Sequence, residues 1–114
     1  MVGTACSDVL AVEDVVGVWN ATSINGDPVP GEVVFDGLIY DVQYWRWTFN
    51  NGGLCSSTSQ IEMAEDTRGC EYVVYSQSKR VSIDFGFTAV EAVVDGDRMT
   101  VTDEGGNVFL LRKQ

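Results

Sequence analysis

The chain has 114 residues, 45% of them hydrophobic, with 12 Gly and 2 Pro, a length that accommodates one core and excludes a second. With 17 acidic against 7 basic residues its formal charge is −10, so a nucleic-acid backbone or an anionic membrane surface repels it. No His is present and the three Cys fit no metal-site spacing, which removes most His-dependent hydrolase and zinc chemistry and leaves no metal or cofactor expected.

Residues 1–13 read as an N-terminal segment and 14–114 as one β domain. The start lacks a basic n-region and an apolar h-region. Small residues leading into Cys6 and then Ser7-Asp8 are similar to the end of a bacterial lipoprotein signal, with Cys6 as the lipid anchor; the alternative is a terminus with an incidental Cys. The longest apolar runs, such as Val33-Val34-Phe35, fall far short of the roughly 20 residues that cross a bilayer, so no transmembrane segment is expected. Ser7 to Val15 has a cap-like start but is too short for more than a turn or two of helix.

From Val15 a β-rich run extends to Ile24 and stops at Asn25-Gly26-Asp27-Pro28. Further strands are predicted at 32–36, 39–49, 53–62, 70–77, 80–86, 89–94, 98–103 and 107–113, the pattern of an all-β barrel or sandwich. In 39–49, Trp45, Trp47 and Phe49 share the face expected to point inward, opposite Tyr40, Val42 and Tyr44. Leu54 to Met63 is rich in Ser and Thr, as an edge or poorly covered strand would be.

Loop length fixes the register of the C-terminal hairpins. Val81, Ile83 and Phe85 point inward, and a tight loop around Phe87-Thr88 sets Phe85 opposite Val90. A two-residue turn at Asp95-Gly96 pairs Met99 with Ala92 and Val101 with Val90. A four-residue loop 103–106 sets Val101 opposite Val108 and Met99 opposite Leu110. Each hairpin buries apolar residues without conflict, so the chain is expected to form an antiparallel, mainly up-and-down β-barrel of about eight strands.

Cysteine usage leaves two settings open: one disulfide and one special thiol in an oxidising compartment, or three ordinary thiols. If Cys6 is an anchor, Cys55 and Cys70 remain as a pair.

Gly17-Val18-Trp19, then Asn25-Gly26-Asp27-Pro28-Val29-Pro30, and finally residues 95–103 and Phe109-Leu110-Leu111-Arg112 together resemble the lipocalin-like domains of the calycin superfamily, in particular the short bacterial lipoprotein type. The resemblance covers residues 15–30 and 89–113 and does not extend to the centre. It implies that Trp19 closes one barrel end beneath the basic Arg112, a cation–π pair joining first strand to last.

The carboxylates fall on outward positions or in turns, where Asp serves the backbone, so no side chain is assigned a catalytic role. Trp45, Trp47, Phe49, Tyr72 and Phe85 are the candidate ligand-binding set; they either fill a small barrel or line a pocket for one molecule. The leading expectation is a secreted or cell-envelope barrel that binds a small hydrophobic molecule, uncharged or weakly anionic. The alternatives are a plugged barrel serving as an envelope interaction module, and a calycin-like cyclase or isomerase with Tyr72 as its buried proton donor.

Overall fold

The computed structural model describes residues 9–114, so Cys6 lies outside the described residues. A one-turn helix α1 (Val12–Val15) precedes β1 (Gly17–Ile24), β2 (Asp27–Pro28), β3 (Gly31–Phe35), β4 (Leu38–Phe49), β5 (Leu54–Ile61), β6 (Ala64–Tyr75), β7 (Arg80–Asp84), β8 (Ala89–Asp95), β9 (Arg98–Thr102) and β10 (Val108–Lys113). Strands β4 to β10 form an antiparallel meander, and β1 closes it by pairing with β10 along one edge and β4 along the other. The result is a closed eight-stranded barrel. Past Asn20, β1 parts from β4, and the short strands fill the widening seam, β2 against β1 and β3 against the first half of β4.

Two bulges adapt the alternation to closure. In β4 the register with β5 shifts between Val42 and Tyr44, so Val42 faces inward before the bulge and Trp45, Trp47 and Phe49 after it. In β1 the shift between Ala21 and Ser23 carries the inward side from Trp19 and Ala21 to Ile24. Strand β5 is no edge: it pairs with β4 and β6 along its length, and two of its three serines, Ser57 and Ser59, are buried in the interior. Strand β6 begins at Ala64 rather than 70, because backbone pairing to β5 carries a polar stretch, 64–69, that has no apolar alternation to announce it.

The C-terminal hairpins keep the expected inward side on β7, β8 and β9, but the β7–β8 turn sits one position earlier than expected and the β8–β9 turn one position later. Ile83 faces Val90, Ala92 faces Val101 and Val94 faces Met99. Gly96, at φ 63°, takes the first place of its two-residue turn, the position where a II′ turn needs left-handed backbone. The last loop differs by a single residue. It spans 103–107, with Val101 opposite Phe109 and Met99 opposite Leu111, and this odd step turns Phe109, Leu111 and Lys113 inward.

That step corrects the closure pair. Arg112 points outward, 57% exposed, with Nε 3.4 Å from the Asp97 carboxylate. Lys113 stands opposite Trp19, its Nζ 5.6 Å from the ring centroid and donating to the Asp14 carbonyl at 3.0 Å. Trp19 is fully buried and its Nε1–H donates to the Val15 carbonyl at 2.9 Å, which ties α1 across this end of the barrel. Leu10, also buried, is held there by its N–H to the Ser76 carbonyl. Cys55 and Cys70, register partners on β5 and β6, are joined by a disulfide closing a 15-residue separation.

Lys113→Ala should lower stability by about 0.5–1 kcal/mol in urea denaturation, the range of a partly exposed cation–π contact, while Arg112→Ala should change it by less than about 0.5 kcal/mol. Replacing Cys55 and Cys70 together by Ala should cost roughly 3 kcal/mol through the freed loop entropy of the unfolded chain, measured the same way.

Candidate functional site

Up-and-down connectivity sorts the connections to two ends. At the closed end lie α1, the loops 50–53, 76–79 and 96–97, and the chain's last residues. The other end carries the Asn25-Gly26 turn, the Asp36-Gly37 turn, Glu62-Met63, Gly86-Phe87 and the loop 103–107. Between these latter loops the barrel opens into a cavity of about 610 Å³ with a mostly apolar wall.

Aromatic rings frame the cavity. Phe109 on β10 is their hub, its centroid 4.9 Å from Trp45, 5.9 Å from Phe35 and 6.0 Å from Trp47. Trp47 in turn meets Phe85 at 5.7 Å, and nearly all these contacts are edge-to-face, the geometry that ring quadrupoles favour. Rings braced against one another in this way keep the space between them open, since none can rotate inward without losing its neighbours.

Polar groups in the wall are few and placed. Trp45 Nε1–H donates to Ser57 Oγ at 2.9 Å, fixing the indole. Trp47 forms the deepest β4 part of the wall and is 3% exposed. Among the described residues its Nε1–H is the one fully buried side-chain polar atom without a hydrogen-bond partner. Leaving such a donor unsatisfied costs about 1–3 kcal/mol, whereas the buried Ser57 hydroxyl and Asn107 amide are both hydrogen-bonded.

The rim is acidic and tied together. Asn107, buried in the last loop, donates from Nδ2 to Asp36 at 2.8 Å and to Asp103 at 3.0 Å, and accepts from Asn25 at 2.9 Å. Three loops therefore meet on one amide. Glu104 accepts from Thr88 Oγ1 and the Ala89 N–H, and these bonds hold its carboxyl below the usual carboxylate range. Asp66 pairs with Arg68 at 2.9 Å, and the Arg68 guanidinium lies 5.3 Å from the Phe87 ring centroid.

Of the five residues expected to bind ligand, Trp45, Trp47 and Phe85 line the cavity, whereas Phe49 and Tyr72 do not. Those two pack edge-to-face at 5.1 Å toward the closed end, where the Tyr72 hydroxyl donates to the Asn50 carbonyl at 2.6 Å. Burial raises the Tyr72 pKa above its ordinary value, so it stays a protonated donor at neutral pH, engaged away from the cavity. The height of a residue along its strand decides this, and alternation reports only which face it takes. Phe35, Phe87 and Phe109 were absent from the expected set. Phe109 was missed through the one-residue error in the last loop; a count that admitted a five-residue loop would have turned it inward.

In comparisons with known proteins, no family model matches the chain, and no curated protein or solved structure matches it.

Tyr72→Phe should lower stability by about 0.5–1.5 kcal/mol through the lost bond to Asn50 and leave the affinity of any cavity ligand unchanged; paired denaturation and titration curves separate the two effects.

Proposed function

We propose that the protein is a lipocalin-like binding barrel that holds one small hydrophobic molecule, working in an extracytoplasmic compartment. The division of the barrel interior carries this reading. Toward the closed end it is filled by Trp19, Phe49, Tyr72, Met99 and Leu111, all buried, while the upper part keeps about 610 Å³ of aromatic-walled space open to solvent at one end only. That volume lies within the roughly 300–1,000 Å³ of typical small-molecule sites, and it speaks against the plugged interaction module. A filled lower half supplies rigidity, and a mostly apolar upper half supplies contact area with few rotors to immobilise.

Two further features support the reading. First, the Trp19 end, closed by α1 and Lys113, leaves a single entrance, as a carrier that shields its cargo requires. Second, the Cys55–Cys70 disulfide fits an oxidising compartment. Tyr72, the hydroxyl expected as proton donor of a cyclase or isomerase, lies outside the cavity and is committed to Asn50, so it does not serve that role.

An uncharged solvatochromic dye should bind with saturation and quench tryptophan fluorescence. Trp47→Ala and Phe109→Ala should each weaken it by about 1–3 kcal/mol, roughly 5- to 150-fold in Kd, because both rings are central anchors. Failure of the dye to bind or to alter tryptophan emission overturns the reading.

A further inference from the structure

The basic residues of this protein are sorted by end. Five of its seven basic residues, Lys79, Arg80, Arg98, Arg112 and Lys113, sit in the turns and strand ends of the closed side, and Arg46 lies on the outer face of β4 beside Asn20. Arg68 alone reaches the mouth. The mouth loops and strand ends carry Asp36, Glu62, Glu65, Asp66, Asp84, Asp103 and Glu104.

Within the cavity wall itself three aspartates, Asp36, Asp66 and Asp103, stand against Arg68. Arg68 is already matched to Asp66, so Asp36 and Asp103, drawn onto the shared Asn107 amide, are the uncompensated charges. Glu104, next in the same loop, remains ionised and adds to them. Carboxylates beside a low-dielectric aromatic wall project a stronger field into the cleft than they would into open water. The rings add to the same preference, since the faces of Trp and Phe attract cations and repel anions.

The deepest part of the wall holds one unsatisfied polar group. Trp47, nearly wholly buried, keeps its Nε1–H without a partner on a ring that forms the cavity wall. Filling an aromatic pocket below a ring of carboxylates calls for a molecule with two unlike ends.

Resting on the binding-barrel reading above, we propose that the cavity selects a lipophilic cation: an apolar body among Phe35, Trp45, Trp47, Phe85 and Phe109, with one ammonium-type charge held at the mouth by Asp36 and Asp103. This replaces the uncharged or weakly anionic ligand expected from the sequence by a cationic one. An anionic amphiphile of the same length meets uncompensated carboxylates and is disfavoured; a neutral one gains only the apolar contact.

Three probes of equal chain length, decyltrimethylammonium and decanoate below their micelle concentrations and decanol below its solubility limit, test this by the change in tryptophan emission of the intact protein. The cation should bind about tenfold or more tighter than decanoate, with decanol between them, and the spread should narrow as salt is raised. Decanol should displace the cation competitively, which locates it in the cavity. Asp36→Asn with Asp103→Asn should shrink the cation's advantage over decanol several-fold; if that double variant is unstable, Asp66→Asn, which frees the Arg68 charge at the mouth, should shrink the same ratio. Equal binding of all three, tighter decanoate, or a cation that decanol cannot displace overturns the charge preference while the binding barrel stands. Binding by none of the three overturns the barrel's carrier role itself.

Discussion

Strand β1 hydrogen-bonds two neighbours at once, and every other property of the molecule follows from that double pairing. From Trp19 onward it faces β10, and from Gly17 to Asn20 it also faces β4, so a meander that would otherwise end in two exposed edges becomes a tube. Closure removes the unpaired backbone groups on which another chain could nucleate. It also gives the sheet a single interior, into which alternation sends about half of the side chains of each strand. An interior of fixed girth filled by Trp19, Phe49 and Met99 at one level cannot be filled at the next level by Ser57, Ser59 and Ala64. The cavity therefore traces to β5 and the start of β6, where Ser57, Ser59 and Ala64 leave space that the larger side chains of the facing strands do not fill.

The fold class and the inward faces of β7, β8 and β9 were legible in the sequence because those strands alternate cleanly and end in Gly-containing turns. Legibility failed where the backbone departs from strict period two. The bulge near Gln43 places Val42 and Trp45 on the same side although their numbers differ by three, a relation that alternation forbids. The last loop misled for a different reason. Asp103-Glu104-Gly105-Gly106 looks like a complete turn, but Asn107 belongs to it through bonds to Asp36 and Asn25, residues 71 and 82 positions away, which no local reading can supply.

That single residue had consequences at both ends of the barrel. Counting it in the strand turns Arg112 toward Trp19 and hides Phe109; counting it in the loop brings Lys113 over the indole and makes Phe109 the hub of the aromatic frame. The candidate site was thus legible in kind, as an aromatic-lined interior, while its membership depended on one register step. Phe49 and Tyr72 failed on a separate count, since facing inward says nothing of height, and height is set by where β4 meets β1 rather than by anything within β4 itself.

The acidic rim and the buried amide of Asn107 are two aspects of one arrangement. Loops at the open end of a barrel lack the ladder bonds that hold strands, so they need side-chain bonds to keep the entrance in shape. Here those bonds converge on an amide whose donor side requires acceptors, and Asp36 and Asp103 supply them as carboxylates. Carboxylates are stronger acceptors than neutral amides, which makes them the better clamp for a buried N–H pair. The same choice leaves negative charge at the entrance of an apolar cleft, where Arg68 is the one basic residue and is matched to Asp66, while five of the seven basic residues lie at the far end. The bonds that hold the mouth open therefore also fix the sign of the field through which any ligand must pass.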